Sequence, residues 1–482
     1  KEKAKVPLLL SIDGEWGLAM RLDSTMAFPY QMTLGAIQDE SLIRDMGRII
    51  GSQCRRIGLT MNMAPVIDVN NNPANPVINA RSFGDRPLRV GQLGAAYASG
   101  MQDRKVLACA KHFPGHGDTD ADSHHTLPSV NQSRERLDSV ELAPYQQLID
   151  AQVAAIMVAH LSVPALEPQS HLPTTLSYKV VGDLLKKQMN YSGLVVTDAL
   201  NMKGVSNSLP PGEVDAEALI AGNDVLLFSG DVPKAIAAIH QAILDGRISR
   251  QEVDARCRKI LIYKYLVGLR QWKALSIKNL EKDLFHPEAI RLRRNLYRNA
   301  LTLLTNRNQL LPLQSLDTLR PVLVQLGKVE GSEFSKRLQA YADMPVISVS
   351  ESPDASEKTK LWSRLKSHNL VILSMHRPGE KPFRTKRWAK ATQTFVGELL
   401  SYKPGILVHF AQPYALAHFD EVLRAQAIVQ AYEDVPDARD YAAQLIFGGI
   451  PAQGKLPVAI PGLFSSGIGL STPAGFRMEY TL

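Results

Sequence analysis

The sequence predicts an α/β protein in which a TIM-like (β/α) barrel is followed by a smaller doubly wound α/β domain. Three observations predict this fold. Short apolar segments alternate with stretches of helical periodicity through the first 270 residues, polar side chains follow most of these segments, and a second alternation begins after residue 300. The chain has 482 residues, of which 45% are hydrophobic, so it is long enough to form two or three domain cores.

Six apolar segments in the first part of the chain are predicted strands: 6–13, 59–69, 106–113, 153–161, 193–200 and 224–229. Helical stretches separate them, so we expect a parallel sheet with right-handed crossovers. Polar residues end five of the strands, namely Asp13, Asp68, Lys111 with His112, His160, and Asp198. Side chains from so many strand ends meet only if the sheet closes, which favours a barrel with its site at the C-terminal rim. Eight strands close a regular barrel, so we expect either a further strand before Lys1 or an irregular barrel.

The predicted domain bounds are 1–270 for the barrel, 271–300 for a helical linker and 301–482 for the second α/β domain. The linker segment is charged, helical in period and without a predicted strand. The second domain has four predicted strands, at 320–326, 370–375, 405–411 and 427–432. Neither half contains GxGxxG, or GxxxxGK followed by Ser or Thr, so no motif supports nucleotide binding.

Composition and charge exclude several classes of protein. The apolar runs are much shorter than the about 18 residues that a membrane-spanning helix needs. The three cysteines (Cys54, Cys109 and Cys257) are too widely spaced for a CxxC metal or redox site. The net charge of +8 lies mostly in residues 281–482, which carry 25 basic and 19 acidic side chains. No basic low-complexity tail accompanies this positive charge. We therefore interpret the charge as solvated helix surface, or as a surface for an anionic partner, rather than as a nucleic-acid site.

The densest polar segment is 111–125, KHFPGHGDTDADSHH, which contains four His and three Asp. It follows a predicted buried strand and is interrupted by Pro and Gly, which is typical of a functional loop. The residues alone leave two kinds of site open. One is a metal centre with His and Asp ligands, and the other is an acid/base site in which an Asp orients a His. A solvated polar loop is the third reading.

Two further segments carry candidate functional side chains. Asp198 follows the predicted strand in VVTDALNM, where a carboxylate can act as a nucleophile or a metal ligand; capping of the next helix is the alternative. In IDGEWG, Asp13 and Glu15 lie beside Trp16, a combination that suits sugar hydroxyls and a sugar face. A simple turn has the same composition.

Four motifs together resemble glycoside hydrolase family 3, and within it the β-N-acetylglucosaminidase branch: KHFPGHGDTDADSH (111–124), ARSFGDRP (80–87), IMVAH (156–160) and VVTDALNM (195–202). They follow the family's order through residues 6–230, and the second α/β domain resembles that of two-domain members. The resemblance implies a TIM-like barrel and retaining hydrolysis of terminal β-linked N-acetylglucosamine, with no metal and no cofactor.

The resemblance also implies roles for individual residues. Asp198 matches the nucleophile, His124 the general acid/base and Asp122 its orienting partner. The positions that match sugar-binding residues are Asp13, Arg81, Lys111 and His112, with Met157 and His160 on the strand end beside them.

The sequence also departs from the family pattern. The usual Asp-Gln-Glu-Gly-Gly turn is Asp13-Gly14-Glu15-Trp16-Gly17, so an indole stands where a glycine is usual and we expect the aglycone side to differ. The chain begins where the family's second strand is expected, so we expect the family's first strand and helix before Lys1. It opens without a signal-peptide layout, which indicates a fragment or a processed product. Some two-domain relatives continue into a further domain beyond the position of GFRMEYTL, where this sequence ends. Export to the periplasm or cell envelope of a bacterium is the expected localisation.

The expected partner is a carbohydrate that contains N-acetylglucosamine. Peptidoglycan-derived muropeptides are the family-typical substrate, and chitin oligosaccharides and glycan stubs are the alternatives. Nucleic acid and a membrane span are not expected. Four other functions stay open, namely a β-glucosidase or β-xylosidase of the same family, a β-N-acetylglucosaminide phosphorylase, a non-catalytic glycan-binding module and a metal-dependent hydrolase.

Overall fold

The computed structural model describes residues 4–120, 126–169, 171–327, 331–383, 385–473 and 475–481. The chain forms two compact units. The first contains Lys1–Gln31 and Glu40–Ile290, and the second contains Met32–Asp39 and Arg291–Leu482. The division therefore falls between Ile290 and Arg291, inside the segment predicted as a helical linker.

The first unit contains a parallel sheet of five strands in chain order. These strands are β1 (Ser11–Ile12), β2 (Met61–Asn62), β3 (Leu107–Phe113), β4 (Ala155–Val158) and β5 (Leu194–Thr197). Each strand pairs in parallel with the next one along the chain, which requires a crossover after every strand. This succession of parallel neighbours is the topology of a TIM-like (β/α) barrel, and it confirms the predicted fold class.

The sixth predicted strand, 224–229, is not a regular strand, and in this respect the sequence-based expectation is wrong. Only Val225 forms a bridge, to Val196 of β5. Side-chain oxygens take the place of backbone carbonyls in two hydrogen bonds between this segment and β5. The Asp224 carboxylate accepts the Val195 N–H at 2.9 Å, and the Thr197 hydroxyl accepts the Leu227 N–H at 2.9 Å. The segment still runs alongside β5 and extends the sheet.

Helices connect the strands of the first unit. The first helix along the chain, α1 (Gln31–Gly35), belongs to the second unit except for Gln31. The α-helices of the first unit are α2 (Glu40–Arg56), α3 (Pro87–Gln102), α4 (Arg134–Ser139), α5 (Ala143–Asp150), α6 (Lys203–Ser206), α7 (Glu213–Ala221), α8 (Val232–Leu244), α9 (Arg250–Leu266) and α10 (Leu280–Leu284). The next helix, α11 (Pro287–Ala300), contains the division after Ile290. A helix of π type spans Lys179–Gln188, and 3₁₀ turns lie at Leu18–Met20, Asn79–Arg81, Thr174–Leu176 and Leu269–Gln271.

Local sequence explains how individual helices begin and pack. The helix α9 begins at a capping box, in which Ser249 and Glu252 each accept the other's backbone N–H. The helices α2 and α3 approach closely because Gly100 has no side chain there. A Cβ on Gly100 would lie 2.0 Å from the Arg44 carbonyl oxygen.

Apolar side chains from β2 to β5, including Met61, Cys109 and Leu194, form a core cluster of the first unit.

The second unit is built on a six-stranded sheet in the order β6-β11-β10-β9-β7-β8. Its strands are β6 (Thr302–Asn306), β7 (Pro321–Leu326), β8 (Val346–Val349), β9 (Leu370–His376), β10 (Gly405–Phe410) and β11 (Ala427–Gln430). All neighbours are parallel except β6 and β11. The four predicted strands are present as β7, β9, β10 and β11, while β6 and β8 were not predicted.

Helices cover this sheet and complete an α/β domain. They are α12 (Glu333–Tyr341), α13 (Ala355–Leu365), α14 (Lys390–Tyr402) and α15 (Pro436–Phe447), with 3₁₀ turns at Arg307–Gln309, Pro413–Leu416 and Asp420–Arg424. The core of the unit packs Phe334 of α12 and Leu445 of α15 against strand residues such as Ile372 and Val408. Within the part of the chain that the structure describes, no helix is both long and apolar enough to cross a bilayer.

Candidate active site

Polar side chains gather at the C-terminal edge of the first sheet. Because all five strands are parallel, the residues at their carboxyl ends lie along one edge. Asp13 follows β1, Lys111 and His112 belong to β3, His160 follows β4 and Asp198 follows β5. Except for Arg81, which lies in the 3₁₀ turn Asn79–Arg81, the predicted site residues that the structure describes therefore come from four different strands or their carboxyl ends.

The turn after β1 is held from two sides. Asn62 accepts the Gly14 N–H at 2.9 Å and donates its amide to the Gly14 carbonyl at 3.1 Å. The Tyr97 hydroxyl lies 3.1 Å from the carbonyl oxygens of both Gly14 and Glu15. Residues of β2 and α3 therefore fix the direction in which Asp13 and Glu15 leave the turn.

A cluster of four charges, three of them buried, follows from this turn. Both carboxylate oxygens of Glu15 accept from Arg81, at 2.7 and 2.9 Å. The Lys111 ammonium lies 2.9 Å from Glu15 and 3.0 Å from Asp13. Two carboxylates thus face two cations, and each buried charge has a partner of opposite sign.

The two carboxyl groups of the cluster differ in exposure. Burial alone would raise the pKa of Asp13, but Lys111 and Arg21 outweigh it and lower the pKa to about 2. Burial likewise opposes ionisation of Glu15, and Arg81 and Lys111 hold its pKa well below the usual range. The Asp13 side chain is 35% exposed and that of Glu15 is 1% exposed. Asp13 is therefore accessible to a ligand, whereas Glu15 orients the two cations.

Asp68, at the loop that follows β2, organises the imidazole of His112. Its carboxylate lies 2.7 Å from Nδ1 of His112, and a guanidinium nitrogen of Arg81 lies 3.4 Å from Nε2 of the same ring. Since a carboxylate accepts and a guanidinium donates, the proton is on Nδ1 and Nε2 accepts. Burial opposes ionisation of Asp68, but its interactions with His112 and His116 lower its pKa overall.

The first part of the polar loop, up to Asp120, is anchored to the barrel. The Asp68 carboxylate accepts the His116 N–H at 2.7 Å, and the Asn75 amide donates to the carbonyls of His116 and Gly117 at 2.9 and 3.1 Å. A Cβ on Gly117 would lie 1.7 Å from the Val69 carbonyl oxygen, so no other residue fits there. The backbone that leads into the loop is therefore fixed.

The predicted acid/base pair, His124 and Asp122, lies outside the described residues. On either side of them the chain is described at Asp120 and at Thr126. Asp118, earlier in the loop, accepts a hydrogen bond from the Gln132 amide at 2.7 Å.

Asp198 presents one carboxylate oxygen to the site. Its Oδ1 accepts the Ala199 N–H at 2.8 Å, and among the described residues no donor reaches Oδ2. Burial would raise its pKa, but the neighbouring His160 and His112, the Ala199 N–H and Lys111 lower it overall. Asp198 is therefore ionised at neutral pH with one oxygen available for bonding.

Two candidate residues, one in β4 and one just after it, are more deeply buried than the others. Met157 is 2% exposed and packs in the apolar cluster of the barrel. His160 has no exposed surface, and its two ring nitrogens lie 2.7 Å from the Thr175 hydroxyl and 3.1 Å from the Ala199 carbonyl oxygen.

The sequence singled out Glu15, Asp68 and His116 only as members of polar segments and assigned no individual role to them. A signal existed for each, since Glu15 is in the glycine-rich turn, Asp68 ends a predicted strand and His116 is in the polar loop. Their roles depend on contacts with residues distant in sequence, which no local pattern reveals. In the described part of the chain, His, Cys, Asp and Glu side chains do not form a group of three that could hold a metal ion.

Comparison with known proteins relates the chain to sugar-cleaving enzymes. Residues 1–262 match the family model described as "Glycosyl hydrolase family 3 N terminal domain". A solved structure of a glycoside hydrolase family 3 β-N-acetylglucosaminidase from Paenibacillus sp. str. FPU-7 is 31% identical and superposes with a TM-score of 0.76. The superposition covers 95% of this chain and 87% of that one.

Two curated relatives have similar names. Beta-hexosaminidase A of Pseudoalteromonas piscicida is 29% identical over 95% of this chain and 84% of its own length. Beta-hexosaminidase LpqI of Mycobacterium tuberculosis is 34% identical over 54% of this chain and 68% of its own length. The family match covers more than half of the chain and includes the whole edge of the sheet described above. The chain belongs to glycoside hydrolase family 3.

Proposed function

We propose that this protein is a retaining exo-β-N-acetylglucosaminidase in which Asp198 is the nucleophile and His124, oriented by Asp122, is the general acid/base. The protein is a glycoside hydrolase of the β-N-acetylhexosaminidase class. The proposal adds the sugar that is released, the stereochemical course and the residues that carry the reaction.

The observation that carries the proposal is the ionised, partly bonded carboxylate of Asp198. One oxygen is held by the Ala199 N–H, which fixes the rotation of the carboxylate, and the other has no donor among the described residues. A nucleophile needs this combination of fixed orientation and a lone pair that is not used in a hydrogen bond. Burial opposes ionisation of Asp198, but its interactions with His160, His112, the Ala199 N–H and Lys111 outweigh burial and keep the group ionised.

The charge cluster beside Asp198 suits a sugar ring rather than a metal or a nucleotide. Asp13 is an accessible acceptor for hydroxyl groups. Arg81 and Lys111 form ion pairs with Glu15, and Lys111 also pairs with Asp13. Charged acceptors and donors in a partly dry site bind hydroxyl groups strongly. We therefore assign Asp13, Arg81, Lys111 and His112 to the sugar-binding subsite.

The reaction then has two steps. Asp198 attacks the anomeric carbon as the glycosidic C–O bond breaks, and His124 gives its proton to the leaving oxygen. A water molecule next attacks the anomeric carbon of the glycosyl-enzyme, His124 takes a proton from that water, and the bond to Asp198 breaks. The sugar is released with its original anomeric configuration.

A mechanism-based label tests the nucleophile. A 5-fluoro N-acetylglucosaminide with a good leaving group should form a lasting adduct, and peptide mass spectrometry should find it on Asp198. Asp198→Ala should abolish turnover without unfolding the protein, while Asp183→Ala, an exposed aspartate of the same unit paired with Lys187, should keep full activity. An adduct on another residue would refute the assignment.

The natural substrate requires a separate experiment. Peptidoglycan fragments are the proposed substrate, and chitin oligosaccharides are the competing one. Purified muropeptides and chitobiose should be incubated with the enzyme under the same conditions and the released monosaccharide identified by mass spectrometry. Faster release from muropeptides supports the peptidoglycan assignment, and faster release from chitobiose contradicts it.

A further inference from the structure

His160 lies at the end of β4 and beside the proposed nucleophile, but its ring is enclosed by protein. It has no exposed surface, and both of its ring nitrogens have hydrogen-bond partners within the barrel. Its partners are the Thr175 hydroxyl and the carbonyl oxygen of Ala199, the residue directly after Asp198. The protonation state of this ring therefore follows from what these two partners can do.

At Nε2 the partner can only accept. The Ala199 carbonyl oxygen lies 3.1 Å from Nε2 and has no proton to give. A hydrogen bond between them therefore requires that Nε2 carry a proton.

At Nδ1 the partner is a hydroxyl, which has one proton. Thr175 Oγ1 lies 2.6 Å from the Ala159 carbonyl oxygen, and two oxygens are this close only when a proton lies between them. The Thr175 hydroxyl therefore donates its single proton in a hydrogen bond to the Ala159 carbonyl oxygen. Toward His160 the same oxygen, Oγ1, can only accept, from Nδ1 at 2.7 Å. Nδ1 therefore carries a proton as well.

The arrangement around Thr175 is well fixed. The residue lies in the 3₁₀ turn Thr174–Leu176, and the Asn223 amide donates to its carbonyl at 2.9 Å. The hydroxyl of Thr174 also donates to the Ala159 carbonyl, at 2.6 Å. Both lone pairs of that carbonyl are therefore occupied, and neither threonine hydroxyl is left with a proton for His160.

His409 in the second unit shows the opposite pattern. The Trp388 indole N–H donates to its Nε2 at 3.1 Å, and its Nδ1 lies 2.8 Å from Oε1 of Gln430. One nitrogen accepts and the other donates, which defines a neutral ring. Burial lowers the pKa of His409 to about 3, in agreement with that pattern.

We propose that His160 is a positioning residue held as a doubly protonated imidazolium, whose positive charge and bond to the Ala199 carbonyl keep Asp198 ionised and in place for attack. This inference rests on the proposed role of Asp198. The other ionisable side chains that lower the pKa of Asp198 are His112 and Lys111 of β3, and the turn Thr174–Leu176 contributes none among the described residues. The charge of His160 therefore acts on Asp198 and favours its ionised form.

The charge predicts a specific effect on catalysis. A nearby positive charge lowers the pKa of a carboxyl group, and His160 acts on Asp198 in this direction, so loss of the His160 charge should raise the pH at which Asp198 becomes ionised. A purely structural histidine would instead lower the rate equally at every pH. The position of the acid limb in the profile of kcat/KM against pH distinguishes these two roles, because only loss of the charge should shift it.

The direct test is nitrogen NMR of the full chain labelled with 15N-histidine. The signals of His160 are assigned by their absence in His160→Gln. At pH 7 both nitrogens of His160 should have the shifts of a protonated ring, whereas those of His409 should have the split pattern of a neutral tautomer. A neutral pattern for His160 would overturn the inference.

The kinetic test uses a dinitrophenyl N-acetylglucosaminide, which needs no protonation of its leaving group. The acid limb of kcat/KM should move up by about 1 pH unit in His160→Gln and in Thr175→Val, which removes the acceptor of the Nδ1 proton. Thr175→Ser keeps the hydroxyl and should retain the wild-type profile. Equal losses at all pH values in His160→Gln and Thr175→Val would contradict the inference.

These experiments separate the inference from the proposed function. If the fluorinated substrate labels Asp198 but His160 is neutral, the nucleophile assignment stands and the role of His160 fails. If the label appears on another residue, the proposed function fails and the inference fails with it, because the charge would not then act on the nucleophile.

Discussion

Glu15 and Arg81 form a bidentate ion pair in the interior of the barrel, with distances of 2.7 and 2.9 Å between guanidinium nitrogens and carboxylate oxygens. The side chains are 1% and 8% exposed. Lys111 is bonded to the same carboxylate at 2.9 Å, so Glu15 compensates two buried cations. The positions of Arg81 and Lys111, which we assign to the proposed sugar-binding subsite, therefore depend on a carboxylate that itself has almost no accessible surface.

The first prediction concerns the stability of this pair. Glu15→Gln should lower the free energy of unfolding of the barrel by about 3 kcal/mol, because it leaves buried cations without a compensating charge. Calorimetry of the barrel transition measures the loss. Asp254→Asn, which breaks the exposed pair between Arg250 and Asp254, is the matched control and should change the stability by less than about 0.5 kcal/mol. Equal effects of the two variants would show that the buried pair contributes no more than a surface pair.

The strand ends were the most predictable part of the site. Asp13, Lys111, His112, His160 and Asp198 all follow or end apolar segments, and the structure places all five at one edge of a parallel sheet. Such positions can be found from sequence because a buried strand has a recognisable apolar pattern and the polar residue that ends it stands out.

The contacts between these positions could not be found in the same way. Glu15 meets Arg81, and Asp68 meets His112, across 66 and 44 residues of chain. The strand at 224–229 was predicted incorrectly for a related reason, since the Asp224 and Thr197 side chains take over backbone hydrogen bonds of the ladder. Side-chain replacement of a backbone bond has no periodic signature in the sequence.

The second prediction concerns Asp13 as a sugar-binding group. Asp13→Asn should lower kcat/KM for N-acetylglucosaminides by about 30-fold, because a hydrogen bond to a charged group contributes about 2 kcal/mol. Steady-state kinetics with a nitrophenyl substrate measures this loss. Asp23→Asn, a change at a nearby exposed aspartate, should keep the wild-type value. An unchanged kcat/KM in Asp13→Asn would remove Asp13 from the substrate site.

The third prediction is the direction of the pH dependence of stability. Burial lowers the pKa of His116 to about 4, so between pH 6.5 and 4 the unfolded chain binds a proton at this residue that the folded chain does not. Stability should therefore fall as the pH falls through that range. The pKa of Asp13 is lowered to about 2, so its contribution is present above pH 3.8 and is lost as the pH falls from there towards 2.

Calorimetry between pH 7 and pH 4 tests the histidine contribution. His116→Asn should reduce the slope of stability against pH for the barrel transition, because it removes the group that the unfolded state protonates. His286→Asn, at a histidine whose side chain is 63% exposed, should leave the slope unchanged. A slope in His116→Asn equal to that of the wild type would contradict the prediction.

The fourth prediction concerns specificity. The enzyme should have a higher kcat/KM for β-N-acetylglucosaminides than for β-glucosides, because polar groups placed for the 2-acetamido group lose their partners when that group is missing. The comparison uses nitrophenyl glycosides of the two sugars, so that the leaving group is identical. A ratio at or below one would favour the β-glucosidase alternative within the family.

The fifth prediction concerns His124. His124→Ala should lower the rate of chitobiose hydrolysis, in which the leaving group needs a proton, by about 100-fold or more. The rate of hydrolysis of a dinitrophenyl glycoside should fall much less. Only the first substrate requires general acid catalysis to break the glycosidic bond. Asp122→Ala should show a weaker form of the same dependence, because the ring keeps its proton but loses the group that orients it.

The matched control for this prediction is His125→Ala, which changes the neighbouring histidine of the same loop and should affect both substrates equally and weakly. The loop that carries these residues starts from a fixed point, since Asp68 and Asn75 hold the backbone at His116 and Gly117. A mutation beyond that anchor should therefore act on the chemistry rather than on the fold. Equal losses of chitobiose and dinitrophenyl activity in His124→Ala would assign this residue to binding, and Asp118 and Asp120 would then be the first candidates for the acid.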